Sequence, residues 1–153
     1  MRYRMSLTAA AFAVFAVVGG AGAALAGSGA PAPAAPASLY ELKAEMVNRS
    51  DHALKYDADT SNLNASAKWV DGPRDIPAHS SGTFVVKSAT YGVNMHLVFK
   101  DPRNENIVAN GNVNWSSPTN DTKGTDSQSK IINVHGRIGS GRHVDAIYTF
   151  VNR

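Results

Sequence analysis

Apolar side chains return at every second position in run after run of this chain, and that period leaves room for strands and little else. Leu42, Ala44 and Met46 alternate with Glu41, Lys43 and Glu45. Val93, Met95, Leu97 and Phe99 alternate with Asn94, His96 and Lys100. Ile107, Ala109, Val113 and Trp115 stand opposite Asn110, Asn112 and Asn114. Ile132, Val134 and Ile138 share a face, as do Val144, Ala146, Tyr148 and Phe150. Successive side chains of a strand point to opposite sides, so each run has one dry and one wet face. No segment repeats at the period of a helix. Turn-forming clusters separate the runs, at residues 48–51, 101–106 and 139–141.

The pattern predicts an all-β chain: an antiparallel β-sandwich of seven or eight short strands in a single domain. Residues 93–100 and 106–115 should form a hairpin, and 53–57 a short strand with Leu54 and Tyr56 on one side. Residues 58–66 and 116–127 read as polar loops. The pivot is residues 69–92, where Pro73 and Pro77 fix φ and exclude helix while Gly72 and Gly82 free the backbone. Residues 83–87, β-branched and aromatic, then enter the core as a strand.

Residues 1–26 are expected to be a secretory signal peptide. Arg2 and Arg4 precede an apolar run at 7–18, and Ala24-Leu25-Ala26 supplies a small-residue cleavage site. A membrane anchor is the rival reading, but Gly19, Gly20 and Gly22 break the run. Residues 27–38, all Gly, Ser, Ala and Pro, suit a spacer, and 39–153 the β-sandwich. Loss of the leader removes two of the 15 basic residues and none of the 12 acidic ones, so +3 becomes +1. With no Lys/Arg run left, nucleic acid is not an expected partner. There are no cysteines, which excludes thiol catalysis and thiolate metal sites and leaves the secreted fold to apolar burial and β hydrogen bonds.

Catalytic patterns are missing. Ser80 and Ser81 precede Gly82 without a nucleophile elbow around them. Asp57/Asp59 and Asp71/Asp75 fall where turn-capping aspartates are common. Of the five histidines, only His135 and His143 flank one hairpin, where two metal ligands could face each other or simply line a wet strand face. No enzyme activity and no cofactor are expected. Asn48-Arg49-Ser50, Asn64-Ala65-Ser66, Asn114-Trp115-Ser116 and Asn120-Asp121-Thr122 match the glycosylation acceptor pattern, which an Asn- and Ser-rich β protein also generates by chance.

Aromatic residues give the most informative set. Trp69, Tyr91 and Trp115 each fall at an expected strand–loop junction, where an indole or phenol ring suits lipid headgroups or sugar rings. The alternative is that both tryptophans plug the ends of the sandwich. Lys68, Arg74 and Lys123 are the cations expected to help engage phosphate. A second function class stays open: a protein- or glycan-binding module, or an inhibitor, that presents the loop 116–127.

The order Trp69, Pro73, Ile76-Pro77, Ser81-Gly82-Thr83-Phe84, Ser88, Gly92 and then Trp115-Ser116-Ser117-Pro118-Thr119-Asn120 resembles the aegerolysins and their bacterial crystal-toxin relatives. The resemblance spans roughly residues 44 to 125. It implies a β-sandwich that binds membrane lipid, commonly a sphingolipid headgroup, often alongside a larger perforin-like partner that makes the pore. Trp69 and Trp115 would be the lipid-contacting aromatics, and the role would be part of a cytolytic system. The chain departs from that family in its leader and spacer and in lacking a Thr-Gly-x-Glu-Gly run near Tyr91.

Overall fold

The computed structural model describes residues 39–115 and 119–153. The expected leader (1–26), the spacer (27–38) and Ser116, Ser117 and Pro118 of the polar loop lie outside these residues. The described chain is all β: β1 (Tyr40–Asn48), β2 (Lys55–Tyr56), β3 (Asn62–Leu63), β4 (Ala67–Asp71), β5 (Ser80–Ser88), β6 (Val93–Lys100), β7 (Asn106–Val113), β8 (Asp126–Ser127), β9 (Ile132–Ile138) and β10 (His143–Asn152). One sheet runs β4-β5-β1-β10-β9; the other runs β2-β6-β7-β8, with β3 also pairing β6. The β-sandwich expected from the alternation is the fold observed. It has ten strands rather than seven or eight because β3 and β8 are two-residue pairings, too short to carry a period; the strand expected at 53–57 pairs only over Lys55–Tyr56.

One pair departs from an antiparallel scheme. β1 lies parallel to β10, with Leu42 beside Val144, Ala44 beside Ala146 and Met46 beside Tyr148. Alternation fixes which face is dry but not which strand lies alongside, or in which direction.

The core is graded by size along each sheet. Phe84, Ala44 and Ala146 form one row, so a large ring sits next to two methyls; in the next row Met46 and Tyr148 are flanked by Gly82 and Gly136. Alternating bulk in this way lets facing layers interdigitate at crystal-like density. The second sheet answers with Val93, Met95, Leu97 and Phe99 opposite Val113, Gly111, Ala109 and Ile107. Phe99 makes edge-to-face contacts with Phe150 of the first sheet at 5.7 Å and with Tyr56 at 6.1 Å.

Tyr148 reaches across the layers. Its hydroxyl donates to the Asn110 carbonyl at 2.6 Å, and Gly111 makes the room: a Cβ there would lie 2.7 Å from that oxygen. Burial, then the Asp121 charge, push the phenol pKa up, so Tyr148 stays a neutral donor.

A second polar tie joins the turn after β6 to the β8–β9 connection. Asp101, almost wholly buried, accepts the N–H groups of Arg103 and Glu105 at 2.8 and 2.9 Å and the Ser129 hydroxyl at 2.6 Å. Burial is the largest influence and pulls its pKa up. The Ser129 bond, the two backbone bonds and the Arg103 charge together outweigh it, and the carboxyl lies below its usual 3.8. A depressed folded pKa contributes stability that is complete above 3.8 and lost as pH falls through the folded value. Acid unfolding below about pH 4 should therefore be shallower in Asp101→Asn than in the parent, with a cost of about 1–2 kcal/mol at neutral pH. Asp57 and Asp75 are shifted the same way, so the acid limb shrinks without vanishing. Parallel acid limbs in urea titrations of the two proteins would refute this.

Candidate functional site

The end of the β6–β7 hairpin carries the most open aromatic surface in the described chain. Val93 pairs with Val113 as the last rung, and the chain leaves it on one side through Gly92 to Tyr91 and on the other through Asn114 to Trp115. Tyr91 is 60% exposed and Trp115 62%. Their rings meet edge to face, 6.0 Å apart at 74°. Exposed rings this size usually find cover, so a held, open pair is informative.

Backbone contacts hold it. Asn64 donates its amide to the Gly92 carbonyl at 3.0 Å and accepts the Asn94 N–H at 2.9 Å. The Ser88 hydroxyl bonds the Tyr91 carbonyl and lies 3.1 Å from the Ser66 hydroxyl. On the other side Asn120 accepts the Asn114 N–H at 3.1 Å and donates to the Gly139 and Gly141 carbonyls at 2.9 and 3.0 Å. From Asn120 on, the loop expected at 116–127 is thus tied to the β9–β10 turn, and Asp121 bridges to Asn112.

Two adjoining hollows open beside the rings. The first, about 250 Å³, lies between Asn64, Tyr91, Asn94, Asn112, Asn114 and Trp115. The second, about 450 Å³, runs along the outer face of β6 and β7 between Asn62, Asn94, His96, Asn112, Asp121 and Lys123. Asn94 and Asn112 border both. In this face Asn94 sits opposite Asn112, and His96 lies between Asn62 on β3 and Asn110 on β7. His96 Nδ1 shares a hydrogen bond with the Asn110 side-chain oxygen at 2.7 Å, and the Asn110 amide donates to the Lys123 carbonyl at 3.1 Å.

The expected site residues divide. Tyr91 and Trp115 come together, and Lys123 lies on the neighbouring groove. Trp69, Lys68 and Arg74 line neither hollow. Trp69 falls within β4, not at a strand–loop junction: it pairs with Val86 and packs, half-buried, on the core. The ladder slips just after it, so Val70 bulges out to 63% exposure while the indole turns in. Arg74 is engaged already, with Asp71 at 3.1 Å and its guanidinium 5.5 Å over the Phe84 ring. Lys68 is exposed beside Lys87 across the β4–β5 ladder. His135 and His143 do not meet: His135 faces Thr149, and His143 lies beside Glu41.

What the residue pattern showed without its meaning was the amide face. The wet positions of β6 and β7 were legible, but that Asn62 joins them depends on a two-residue strand no period announces.

These features define a two-sheet β-sandwich with an aromatic lip over an amide-lined groove. The chain matches no protein-family model and no curated protein sequence. Solved structures do resemble it. It is similar to the lipid binding protein Nakanori at 14% identity, over 74% of this chain and 71% of that one, with a TM-score of 0.56. It is similar to IP-1A from Alcaligenes faecalis at 14% identity, over 77% of this chain and 94% of that one, with a TM-score of 0.58. At this identity the likeness establishes a shared fold. The resemblance to the aegerolysins is carried by the residues quoted above.

Proposed function

We propose that this chain is a secreted, non-enzymatic β-sandwich that binds a membrane lipid or other cell-surface ligand through the Tyr91–Trp115 lip. The observation that carries the reading is that pair of open rings, held edge to face at the end of a rigid hairpin. Aromatic groups with one apolar body and one polar tip sit well at the headgroup level of a bilayer. A fold shared with a lipid binding protein supports the same reading. Lys123, which makes no ion pair among the described residues, lines the groove that adjoins the lip. A cytolytic role beside a perforin-like partner follows from the aegerolysin resemblance and belongs to the same proposal.

Burying about 100 Å² of ring surface in the interface is worth ~2.5 kcal/mol. Replacing both Tyr91 and Trp115 by Ala should therefore lower vesicle partitioning by at least about tenfold. Cosedimentation with phosphatidylcholine, phosphatidylserine-containing and sphingomyelin–cholesterol vesicles reads this directly. Trp69→Ala is the contrast: it should weaken the fold while leaving partitioning of the folded protein unchanged. Equal sedimentation of parent and double variant with every vesicle, or no sedimentation of the parent, removes the reading.

A further inference from the structure

We propose that the outer face of β6 and β7 is a subsite for a neutral sugar ring, so that the headgroup recognised beneath the aromatic lip is a glycan. The inference deepens the lipid reading and rests on it for the lip. Three amides carry it. Asn62, Asn94 and Asn112 border the 450 Å³ groove, and their side chains make no hydrogen bond among the described residues. Their neighbours are committed: Asn110 to His96 and Lys123, and Asn64 to Ser66, Gly92 and Asn94. Each uncommitted amide offers two N–H donors and one carbonyl acceptor, the mixture that hydroxyls, which both donate and accept, can satisfy.

Charge narrows the ligand. Lys123 and Asp121 border the same groove and offset each other, so a phosphate placed there meets a carboxylate as well as an ammonium. A neutral polyol avoids that repulsion. The groove also lies within the size range of small-ligand clefts. It shares Asn94 and Asn112 with the hollow beside Trp115 and Tyr91. A ring face can rest there against the apolar side of a sugar. Strand register fixes the backbone of Asn94 against that of Asn112, so only the side-chain rotamers are left to be ordered on binding.

The sugar can belong to a glycolipid or to a soluble glycan, and two arms separate them. In the first, the parent and the Asn94→Ala/Asn112→Ala double variant are sedimented with phosphatidylcholine vesicles with and without glucosylceramide. In the second, free glucose, galactose, N-acetylglucosamine and lactose are titrated while backbone amide resonances are followed by NMR. The expected result is tighter binding of the parent to the glucosylceramide vesicles, an increment reduced about tenfold in the double variant, and sugar-induced shifts confined to β3, β6 and β7. Asn62→Ala, on a separate strand, should reduce the increment independently. If the parent binds all vesicles alike and no sugar moves the groove resonances, the sugar subsite falls and the lipid reading stands. If the sugars shift those resonances but no vesicle binds, the subsite stands for soluble glycans and the lipid reading falls. Binding that needs an anionic lipid and is lost in Lys123→Ala but not in the amide variants also overturns the subsite.

Discussion

Gly92→Ala should destabilise the protein by about 3 kcal/mol or more and disperse the aromatic lip in the same step. A Cβ on Gly92 would stand 1.8 Å from the Val113 carbonyl oxygen, 3.0 Å from its carbon and 3.1 Å from the Trp115 nitrogen. An ordinary contact needs about 3.5 Å. None of the obstructing atoms belongs to a side chain that can rotate away. They are backbone at the last rung of β6 and β7, on the peptide path to Trp115. Relief requires that rung to open, with loss of the Val93–Val113 pairing and of the Asn64 bond to the Gly92 carbonyl. The same substitution at Gly72, where nothing lies within 4 Å of the added carbon, should stay within about 0.5 kcal/mol of the parent. Urea unfolding should show a lower midpoint with an unchanged slope for Gly92→Ala and an unmoved midpoint for Gly72→Ala. Equal midpoints for the two variants would show that the close approach costs nothing. Vesicle partitioning of the Gly92 variant, measured below its unfolding range, should fall with that of the aromatic variants.

How legible this molecule is in its sequence depends on the length over which each feature is written. The dry face of β6 and β7 repeats over eight residues in each strand, enough to read both strands and the hairpin between them. β3 is two residues long and exists because Asn62 and Leu63 meet the free edge of β6 at His96 and Met95. That pairing is a property of the edge and not of the pair, so the expected loop at 58–66 conceals it. Trp69 shows a different limit. Pro73 and Gly72 correctly mark a corner, but the one-residue slip after Trp69 decides which way the indole faces, and a slip of one leaves no trace in composition. Tyr91 and Trp115 are 24 residues apart in the chain. They become neighbours only because the hairpin closes on the Val93–Val113 rung.

Asn48 is the residue whose role was least legible, and it carries the second large expected effect. As part of Asn48-Arg49-Ser50 it reads as a turn residue or a glycosylation acceptor, yet its side chain is buried. Its amide nitrogen lies 2.8 Å from the His52 carbonyl, 2.9 Å from that of Pro77 and 3.3 Å from that of Ile76. Its oxygen accepts the Ser50 N–H at 3.1 Å and hydroxyl at 2.7 Å. Because that backbone N–H can only donate, the orientation of the amide is settled. The nitrogen end faces three carbonyl oxygens, and β1, the 48–52 turn and the Ile76-Pro77 corner are joined there. Asn48→Asp preserves the shape and replaces the donor with a second acceptor. At neutral pH it should cost about 3 kcal/mol, since a buried charge is left facing three acceptors. The carbonyls disfavour the ionised form, so the introduced carboxyl has its folded pKa raised above the unfolded value of about 3.9. The penalty is then fullest above the folded pKa and shrinks as pH falls through it toward the unfolded one, where the protonated acid can donate one bond to a carbonyl. This is the opposite direction to Asp101, whose contribution is lost in acid. Asp101 is common to both proteins and cancels in the difference, so the gap between parent and variant should narrow on acidification through the introduced carboxyl alone. Urea titrations at pH 7 and pH 4 decide it. An equal gap at both values would mean that the introduced group escapes to solvent and that this junction does not depend on the amide donor.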